Sequence, residues 1–312
     1  MANKFTDNGG PVIQIPRVQL IYWGSAWSSN PAPTPSSDQI TGAVQSILAG
    51  PYMVNLQQYR NLGSGHLLGA TVIGSSDPSN PFTDADVSNF ISAQINNGTL
   101  PSLDGLNQNL YLVIMPVGVA SSNTNEDGEH TYYPDNNGNR VHFGWVMNNG
   151  TLDYVTTIFS HELVESATDP EGSALTGVAG TCTGSGWCEI GDICESTTGV
   201  LSGVTVQSYW SNADAACTVP AWPPGTYPYS GVQWTDTLPA NSTISYFTYN
   251  WPEYLFVEWE VVPTDASSGS PQISWQVQLE RPNGAYITYW IVVTNLTGSD
   301  VGIEGRYSVL GV

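Results

Sequence analysis

The stretch of sequence that decides the fold reads FSHELVESATDP and occupies residues 159–170. Apolar residues in and before it recur at the spacing of one face of an α-helix, namely Val155, Ile158, Phe159 and Val164. Asp153 suits the first turn of such a helix, and Pro170 suits its end because proline cannot continue a helix. We therefore predict a helix that places His161 and Glu165 one turn apart on the same face.

This helix carries a variant of a metal-binding motif. In the H-E-x-x-H motif of zincin-type hydrolases, two histidines at i and i+4 hold the metal, and the glutamate beside the first one activates water. His161 and Glu162 match the first two positions, and Glu165 stands where the second histidine would be. We predict His161 and Glu165 as metal ligands and Glu162 as the general base. The alternative is an ordinary i, i+4 surface pair, which contributes only about 0.2–0.5 kcal/mol.

A metal site needs at least three protein ligands, so His161 and Glu165 do not suffice. Glu189 and Asp192 are the best candidates for the rest, because they form an acidic turn between two cysteines. Asp169 and His130 are further candidates, and a turn or capping role is the simpler interpretation of Glu189 and Asp192. One histidine with several carboxylates suits one divalent ion, Zn²⁺ first, with Mn²⁺, Mg²⁺ or Ca²⁺ as alternatives.

The charge balance limits the partners of the chain. Only 6 Lys and Arg stand against 27 Asp and Glu, which gives a net charge of -21. Such a chain repels polyanions and has no basic patch, so we expect no nucleic-acid partner. No apolar run approaches the ~20 residues of a membrane span, so we expect no membrane insertion.

The cysteines indicate the compartment. All four lie within residues 182–217, at Cys182, Cys188, Cys194 and Cys217. An even number in one loop-rich segment predicts two disulfides, although the sequence leaves their pairing open. A four-cysteine zinc site is the alternative, but the paired C-x2-C spacing of such sites is absent. We therefore expect a secreted protein from an oxidising compartment, whose signal peptide was removed ahead of Asn3.

The pattern of elements changes near Pro220. Upstream of it, strand-like and helical patterns alternate, which predicts an α+β, α/β-like domain over residues 1–219 with the zincin-like helix near its centre. The predicted strands there are residues 17–23, 110–115 and 141–147, and the predicted helices lie around residues 37–50 and 87–97.

A Pro-rich linker then leads to a second domain. Short β-rich runs separated by turn residues predict a small all-β sandwich over residues 223–312. The runs are residues 244–249, 255–262, 273–279, 285–294 and 305–310. Its aromatic residues suit either the sandwich core or a sugar-stacking face, and they are Trp251, Tyr254, Trp259, Trp275, Tyr286, Tyr289 and Trp290.

Several motifs together resemble a known family over residues ~11–220. In chain order they read IYWG from residue 21, GPYM from residue 50, DGEH from residue 127, SHELVE from residue 160, ATDP from residue 167, EIGDIC from residue 189 and VQSYWSN from residue 206. This series resembles the EXORDIUM/phosphate-induced protein family of plant cell walls and its bacterial relatives. The resemblance implies an extracellular or wall-associated protein, but it implies no activity and does not reach the second domain.

The motif helix leads us to expect a secreted metal-dependent hydrolase. The first expectation is a peptidase in which Glu162 is the general base for a metal-activated water. By position alone, the candidates for binding a substrate oxyanion are Tyr132, Tyr133, Arg140 and His142. One alternative is a non-enzymatic cell-wall or carbohydrate-binding protein with a structural metal ion, and another is a carboxylate-pair glycoside hydrolase. The substrate is accordingly a protein, a peptide or a wall polysaccharide.

Overall fold

The structure, a computed structural model, describes residues 5–63, 65–103, 105–177, 188–201, 203–220, 229–253, 255–265, 267–282 and 286–311. The chain has a mixed α+β fold and separates into two compact units, Met1–Ala221 and Trp222–Val312. Among the described helices, none combines the length and the apolar character that crossing a membrane requires.

Three α-helices and three 3-10 helices lie in the described part of the first unit. Each α-helix begins at a side-chain cap, because Ser36, Thr83 and Thr151 accept a hydrogen bond from a backbone N–H of the first turn. The α-helices are α1 (Ser37–Ala49), α2 (Asp84–Asn96) and α3 (Leu152–Thr168), and the 3-10 helices are η1 (Ser25–Ser28), η2 (Pro51–Gln58) and η3 (Asp192–Cys194). The predicted motif helix is therefore present as α3.

The strands of the first unit are β1 (Thr6–Asp7), β2 (Arg17–Trp23), β3 (His66–Ile73), β4 (Asn109–Ile114), β5 (Gly128–Pro134), β6 (Arg140–Val146), β7 (Leu175–Thr176), β8 (Thr198–Leu201), β9 (Val204–Gln207), β10 (Tyr209–Ser211) and β11 (Ala216–Thr218). Five of them form the main sheet, in the order β3-β2-β4-β6-β5. The first four run parallel, and β5 pairs antiparallel with β6 at one edge. The interior strands β2, β4 and β6 are almost wholly buried, as parallel strands covered on both faces are.

Helices cover both faces of this sheet. Leu20 and Leu112 point to the face that packs with apolar residues of α1 and α3. Ile21 and Val113, the next residue of each strand, point to the opposite face and pack with α2. The alternation follows from the two-residue repeat of a strand. Helix α3 lies between the main sheet, where it contacts β5 and β6, and strand β9.

A glycine allows α3 to approach the edge strand. A Cβ atom added to Gly128 at the start of β5 would lie 2.5 Å from Ile158 Cγ2 and 2.5 Å from Glu162 Oε1. No ordinary side chain fits at that distance. The close spacing between strand and helix therefore depends on Gly128, and it brings the Glu162 carboxylate against β5.

The second unit contains only strands among its described residues. Two three-stranded antiparallel sheets, with the orders β12-β17-β14 and β13-β16-β15, share one hydrophobic core. Trp259 and Ile303 enter that core from the first sheet, and Tyr289 and Ile291 enter it from the second. The strands are β12 (Tyr229–Leu238), β13 (Thr243–Pro252), β14 (Phe256–Pro263), β15 (Ile273–Glu280), β16 (Tyr286–Asn295) and β17 (Val301–Gly311).

The aromatic residues of the second unit divide between core and surface. Trp251, Trp259 and Tyr289 pack in the core or against it, so the sugar-stacking interpretation is wrong for these three. Exposed aromatic residues of the predicted set are Trp275, Tyr286 and Trp290. Tyr254 lies outside the described residues.

Disulfides hold the segment after α3. Cys194 at the end of η3 is bonded to Cys217 on β11, and Cys188 is also disulfide-bonded. Cys182 lies outside the described residues. The described cysteines are therefore not ligands of a four-cysteine zinc site.

Candidate metal centre

The two motif residues of α3 converge as predicted from their spacing. His161 Nε2 lies 3.0 Å from Glu165 Oε2. Glu162 lies beside them, with its Oε1 4.0 Å from His161 Nε2. Glu165 and Glu162 are almost fully buried, whereas 17% of the His161 side chain is exposed. One face of α3 thus carries all three predicted groups, and His161 is the one nearest solvent.

Asp192 approaches the same point from η3. Its Oδ1 lies 3.7 Å from His161 Nε2, and its other oxygen accepts a hydrogen bond from the Glu189 backbone N–H at 2.9 Å. Glu165 Oε1 accepts hydrogen bonds from the backbone N–H groups of Gly191 and Asp192, at 3.0 and 3.1 Å. The carboxylate of Glu165 therefore fixes η3 against the helix and aims Asp192 at His161.

Glu189 faces a different partner. Its Oε1 lies 3.5 Å from Nε2 of His130 on β5, yet this buried oxygen accepts no hydrogen bond from the described part of the chain. The His130 Nδ1 lies 3.3 Å from Glu162 Oε2 and 3.8 Å from Glu165 Oε2. His130 was only a secondary candidate in the sequence, but the pairing of β5 with β6 places it among three carboxylates.

The four predicted ligands thus fall into two groups that share Glu165. In the open group, His161, Glu165 and Asp192 present ligand atoms within 4.8 Å of one another, and the first and last of these residues are partly exposed. In the closed group, His130, Glu165 and Glu189 do the same and are all buried.

Asp169 does not take part in either group. Its carboxylate accepts hydrogen bonds from the backbone N–H groups of Ser173, Ala174 and Leu175, at 2.6, 2.7 and 3.1 Å. These bonds satisfy the charge and close the turn that follows α3. Asp169, a further candidate ligand in the sequence, therefore serves this turn and belongs to neither group.

Gln207 contacts His161 from β9; it belongs to the VQSYWSN motif, but the sequence assigned it no role at the site. Its amide Nε2 lies 2.7 Å from His161 Nδ1 and 3.1 Å from the Gly191 carbonyl oxygen. A histidine that binds metal through Nε2 carries its hydrogen on Nδ1 and usually donates it to an acceptor. In this structure, however, the Gln207 amide presents its donor nitrogen to Nδ1 and also donates to the Gly191 carbonyl oxygen, so Gln207 fixes the position of the ring without accepting a hydrogen from it.

Burial shifts the pKa values of several ionisable groups of the site. Burial raises the pKa of Glu165 and of Glu189, and burial together with the nearby Glu165 raises the pKa of Asp192 to about 6. Burial alone would lower the pKa of His161, but the carboxylates around it outweigh that effect and raise its pKa to about 10. The pKa of His130 is likewise raised in spite of its burial, chiefly by Glu189. The buried cluster therefore favours proton binding by its imidazole and carboxyl groups.

The predicted oxyanion candidates lie further along β5 and β6. His142 Nε2 lies 3.2 Å from Glu171 Oε1, and Arg140 bridges the same carboxylate, at 3.6 Å, and the ring of Tyr132, at 4.4 Å. Tyr133 packs against the cluster on the α2 face of the sheet. Tyr133 is therefore wrong as an oxyanion group, because alternation along β5 turns it away from α3.

Comparison of the chain with family models, with curated proteins and with solved structures finds no match. The resemblance to the EXORDIUM/phosphate-induced protein family therefore stays a prediction from the motifs.

Proposed function

We propose that this protein is a secreted metal-dependent hydrolase, and first a peptidase, that binds a divalent cation through His161, Glu165 and Asp192. Zn²⁺ is the first choice, and Mn²⁺, Mg²⁺ and Ca²⁺ remain open. One observation carries the proposal: buried carboxylates outnumber the cationic side chains around a single point. Glu162 is the general base of the proposed reaction.

The charge argument rests on four carboxyl groups. Glu162, Glu165 and Glu189 are buried, and Asp192 is partly buried. In the described part of the chain, the cationic side chains among them are the two histidines, His130 and His161. A buried carboxylate without a compensating charge costs several kcal/mol, on the order of the penalty for any uncompensated buried ion. His130 Nε2, 3.5 Å from Glu189 Oε1, offsets part of that cost, but this oxygen accepts no hydrogen bond from a described residue. A bound cation would offset it for the whole cluster.

The open group suits catalysis better than the closed one. A catalytic metal site keeps one position free for water or substrate, whereas a structural site is closed by protein ligands. In the open group, 17% of the His161 side chain and 33% of the Asp192 side chain are exposed. The side chains of the closed group are at most 7% exposed. Substrate would therefore reach the group around His161.

The residues around this group suit a hydrolytic reaction. A bound divalent cation would polarise a substrate carbonyl and acidify a water molecule. Glu162 lies on the same face of α3, and its carboxylate would take a proton from the attacking water and pass it to the leaving group. His130 on β5 would orient this carboxylate, because its Nδ1 lies 3.3 Å from Glu162 Oε2.

The edge strand favours a peptide as substrate. Among the described residues, β5 pairs only with β6, so the other edge of β5 has no strand beside it. An extended peptide pairs with such an edge through its backbone, and side-chain pockets then add specificity. Gly128 and His130 of β5 lie against Glu162, so a peptide on this edge would pass the proposed general base.

A second function is favoured by the closed group. His130, Glu165 and Glu189 are fully buried, as the ligands of a structural ion are. In that case the protein is a non-enzymatic wall or carbohydrate-binding protein with a structural ion. Glu162 separates the two functions, because catalysis needs its carboxylate and ion binding by the closed group does not.

Two variants of α3 test the proposal. We expect Glu162→Gln to keep the fold and the bound metal and to lose turnover by about 10²-fold or more, because a general base is lost. His161→Ala should lose metal and turnover together, because it removes a ligand. Metal content is measured by emission spectroscopy, and turnover is measured on unfolded protein and on wall polysaccharides at acidic and neutral pH.

The control is Asp153→Asn, which changes an exposed carboxylate at the start of α3 and should leave metal content and turnover unchanged. If the wild type and Glu162→Gln both bind metal and behave alike on every substrate, the enzyme is excluded and the structural ion is the better account. If the protein binds no divalent metal at all, both functions fail.

A further inference from the structure

The outer face of one sheet in the second unit carries a row of exposed aromatic rings. Phe247 on β13 and Trp290 on β16 lie directly opposite each other in the register, with ring centroids 5.2 Å apart. Tyr249 stacks beside Phe247 at 6.1 Å. Their exposed fractions are 59% for Phe247, 64% for Tyr249 and 36% for Trp290. We call these three residues the aromatic row.

The aromatic row lies on the solvent-facing side of the β13-β16-β15 sheet, so its rings do not fill the core. Side chains of a strand alternate, and the inward residues Tyr289 and Ile291 of β16 enter the shared core. Outward positions of such a sheet are normally polar. Three adjacent aromatic rings facing water therefore mark a contact surface rather than a packing need.

Polar side chains border the row on the third strand of the sheet. Gln278 on β15 lies opposite Trp290 in the register, and Gln276 and Glu280 point to the same face two residues away on either side. The Trp290 indole N–H donates to Glu280 Oε2 at 2.9 Å, which holds the ring in place. The face thus combines a fixed apolar platform with exposed amide and carboxylate groups along one side.

Charge excludes anionic partners for this face. The second unit contains two basic residues, Arg281 and Arg306. Each is paired with a carboxylate, Arg281 with Glu253 at 2.6 Å and Arg306 with Glu304 at 2.7 Å. Without a basic patch, the face offers nothing to neutralise a nucleic acid, an acidic polysaccharide or an anionic lipid.

We propose that the aromatic row is a binding site for a neutral polysaccharide. Sugar rings present C–H faces that stack on aromatic rings, and their hydroxyl groups can hydrogen-bond to Gln276, Gln278 and Glu280. Ring spacings of 5.2 and 6.1 Å are comparable to the length of one sugar unit in an extended chain. A protein partner of ordinary apolar character would instead bury these polar groups without hydrogen bonds, which is unfavourable.

This site is independent of the proposed metal centre, because its residues all belong to the second unit. Full-length protein is run through native gels that contain soluble mixed-linkage β-glucan or galactomannan, and is mixed with insoluble cellulose and chitin. We expect retention by at least one of these neutral polymers. A gel with polygalacturonate, an acidic polymer, should cause no retention.

The variant is Phe247→Ala/Trp290→Ala, which should weaken binding to the retained polymer at least tenfold. The matched control is Val232→Ala on β12, which removes another exposed apolar side chain of the second unit. Trp290→Phe keeps a ring and should retain most of the binding. Thermal melting of each variant checks the fold. Quenching of tryptophan fluorescence by soluble oligosaccharides measures binding directly on the wild-type protein.

Three results would overturn the proposal. The first is wild-type protein that is retained by none of the neutral polymers. The second is equal binding by the wild type and the double variant. The third is a wild type that forms dimers, becomes monomeric in the double variant and binds no polymer, which would make the row an interface between copies of the chain. Retention that survives chelator and Glu162→Gln separates this result from the metal centre.

Discussion

Glu165 stands where the H-E-x-x-H motif has its second histidine, and its carboxylate makes two contacts that a histidine could not make together. Its Oε2 faces His161 Nε2, while its Oε1 accepts two backbone N–H groups from Gly191 and Asp192. A neutral imidazole has a single acceptor nitrogen and could not do both. The substitution therefore couples the motif helix to η3, which carries the third proposed ligand. A histidine at residue 165 could not accept from both backbone N–H groups of η3 and face His161 as well.

Gly191 is the residue that allows this close approach. A Cβ atom there would lie 2.6 Å from Glu165 Oε1 and 2.9 Å from His161 Nδ1, although the backbone itself suits any residue. We expect Gly191→Ala to weaken metal binding at least tenfold and to lower stability by about 1–3 kcal/mol, as overpacking does. Metal titration calorimetry and urea unfolding measure the two effects.

Gly42→Ala in α1 is the control for that substitution. No atom of the described chain outside the immediate helix backbone lies within 4 Å of a Cβ atom at Gly42, so the change should stabilise the helix by up to about 1 kcal/mol and leave metal binding alone. Equal metal affinities of the two variants would contradict the role of Gly191 in seating η3 against α3.

At the scale of elements, the disulfide between η3 and β11 holds the loop that carries Asp192. Cys194 is buried directly after Asp192 and Ile193, and it is bonded to Cys217. We expect Cys194→Ala/Cys217→Ala to lower the free energy of unfolding by about 3 kcal/mol, because the closed loop no longer restricts the unfolded chain. Metal affinity should also fall, because Asp192 loses its support.

Urea unfolding of this double variant measures the free energy of unfolding, and metal titration measures the metal affinity. The comparison variant is Val200→Ala on β8. Val200 is an exposed residue of the same segment, so its substitution should change neither the free energy of unfolding nor the metal affinity. A double variant with unchanged metal affinity would show that η3 is held by Glu165 alone.

At the scale of the whole molecule, the second unit has its own core. Residues from both of its sheets fill that core, and its strands pair only with one another among the described residues. We expect residues 222–312 to fold alone, because about 90 residues with an apolar core suffice for a small domain. Dispersed amide signals and cooperative melting of that fragment would agree, and a disordered fragment would show that the first unit is required.

The sequence by itself determined the elements whose pattern is local. Strand β2 is found as predicted, and β4 and β6 are found within one residue, because buried parallel strands show as continuous apolar runs. The motif helix α3 was predictable from its periodicity and its terminal proline. His161, Glu162 and Glu165 followed directly, since spacing along one helix fixes which side chains share a face.

The tertiary structure decided what depends on pairing between distant segments. Strand β3 alternates on an exposed edge and β5 is largely polar, so neither stands out from the sequence, and the places of His130 and Gln207 in the site depend on which strands neighbour α3. The aromatic row likewise became visible only when the register showed which rings face outward. Local periodicity is encoded in adjacent residues, whereas strand neighbours and register are set by the packing of the whole chain.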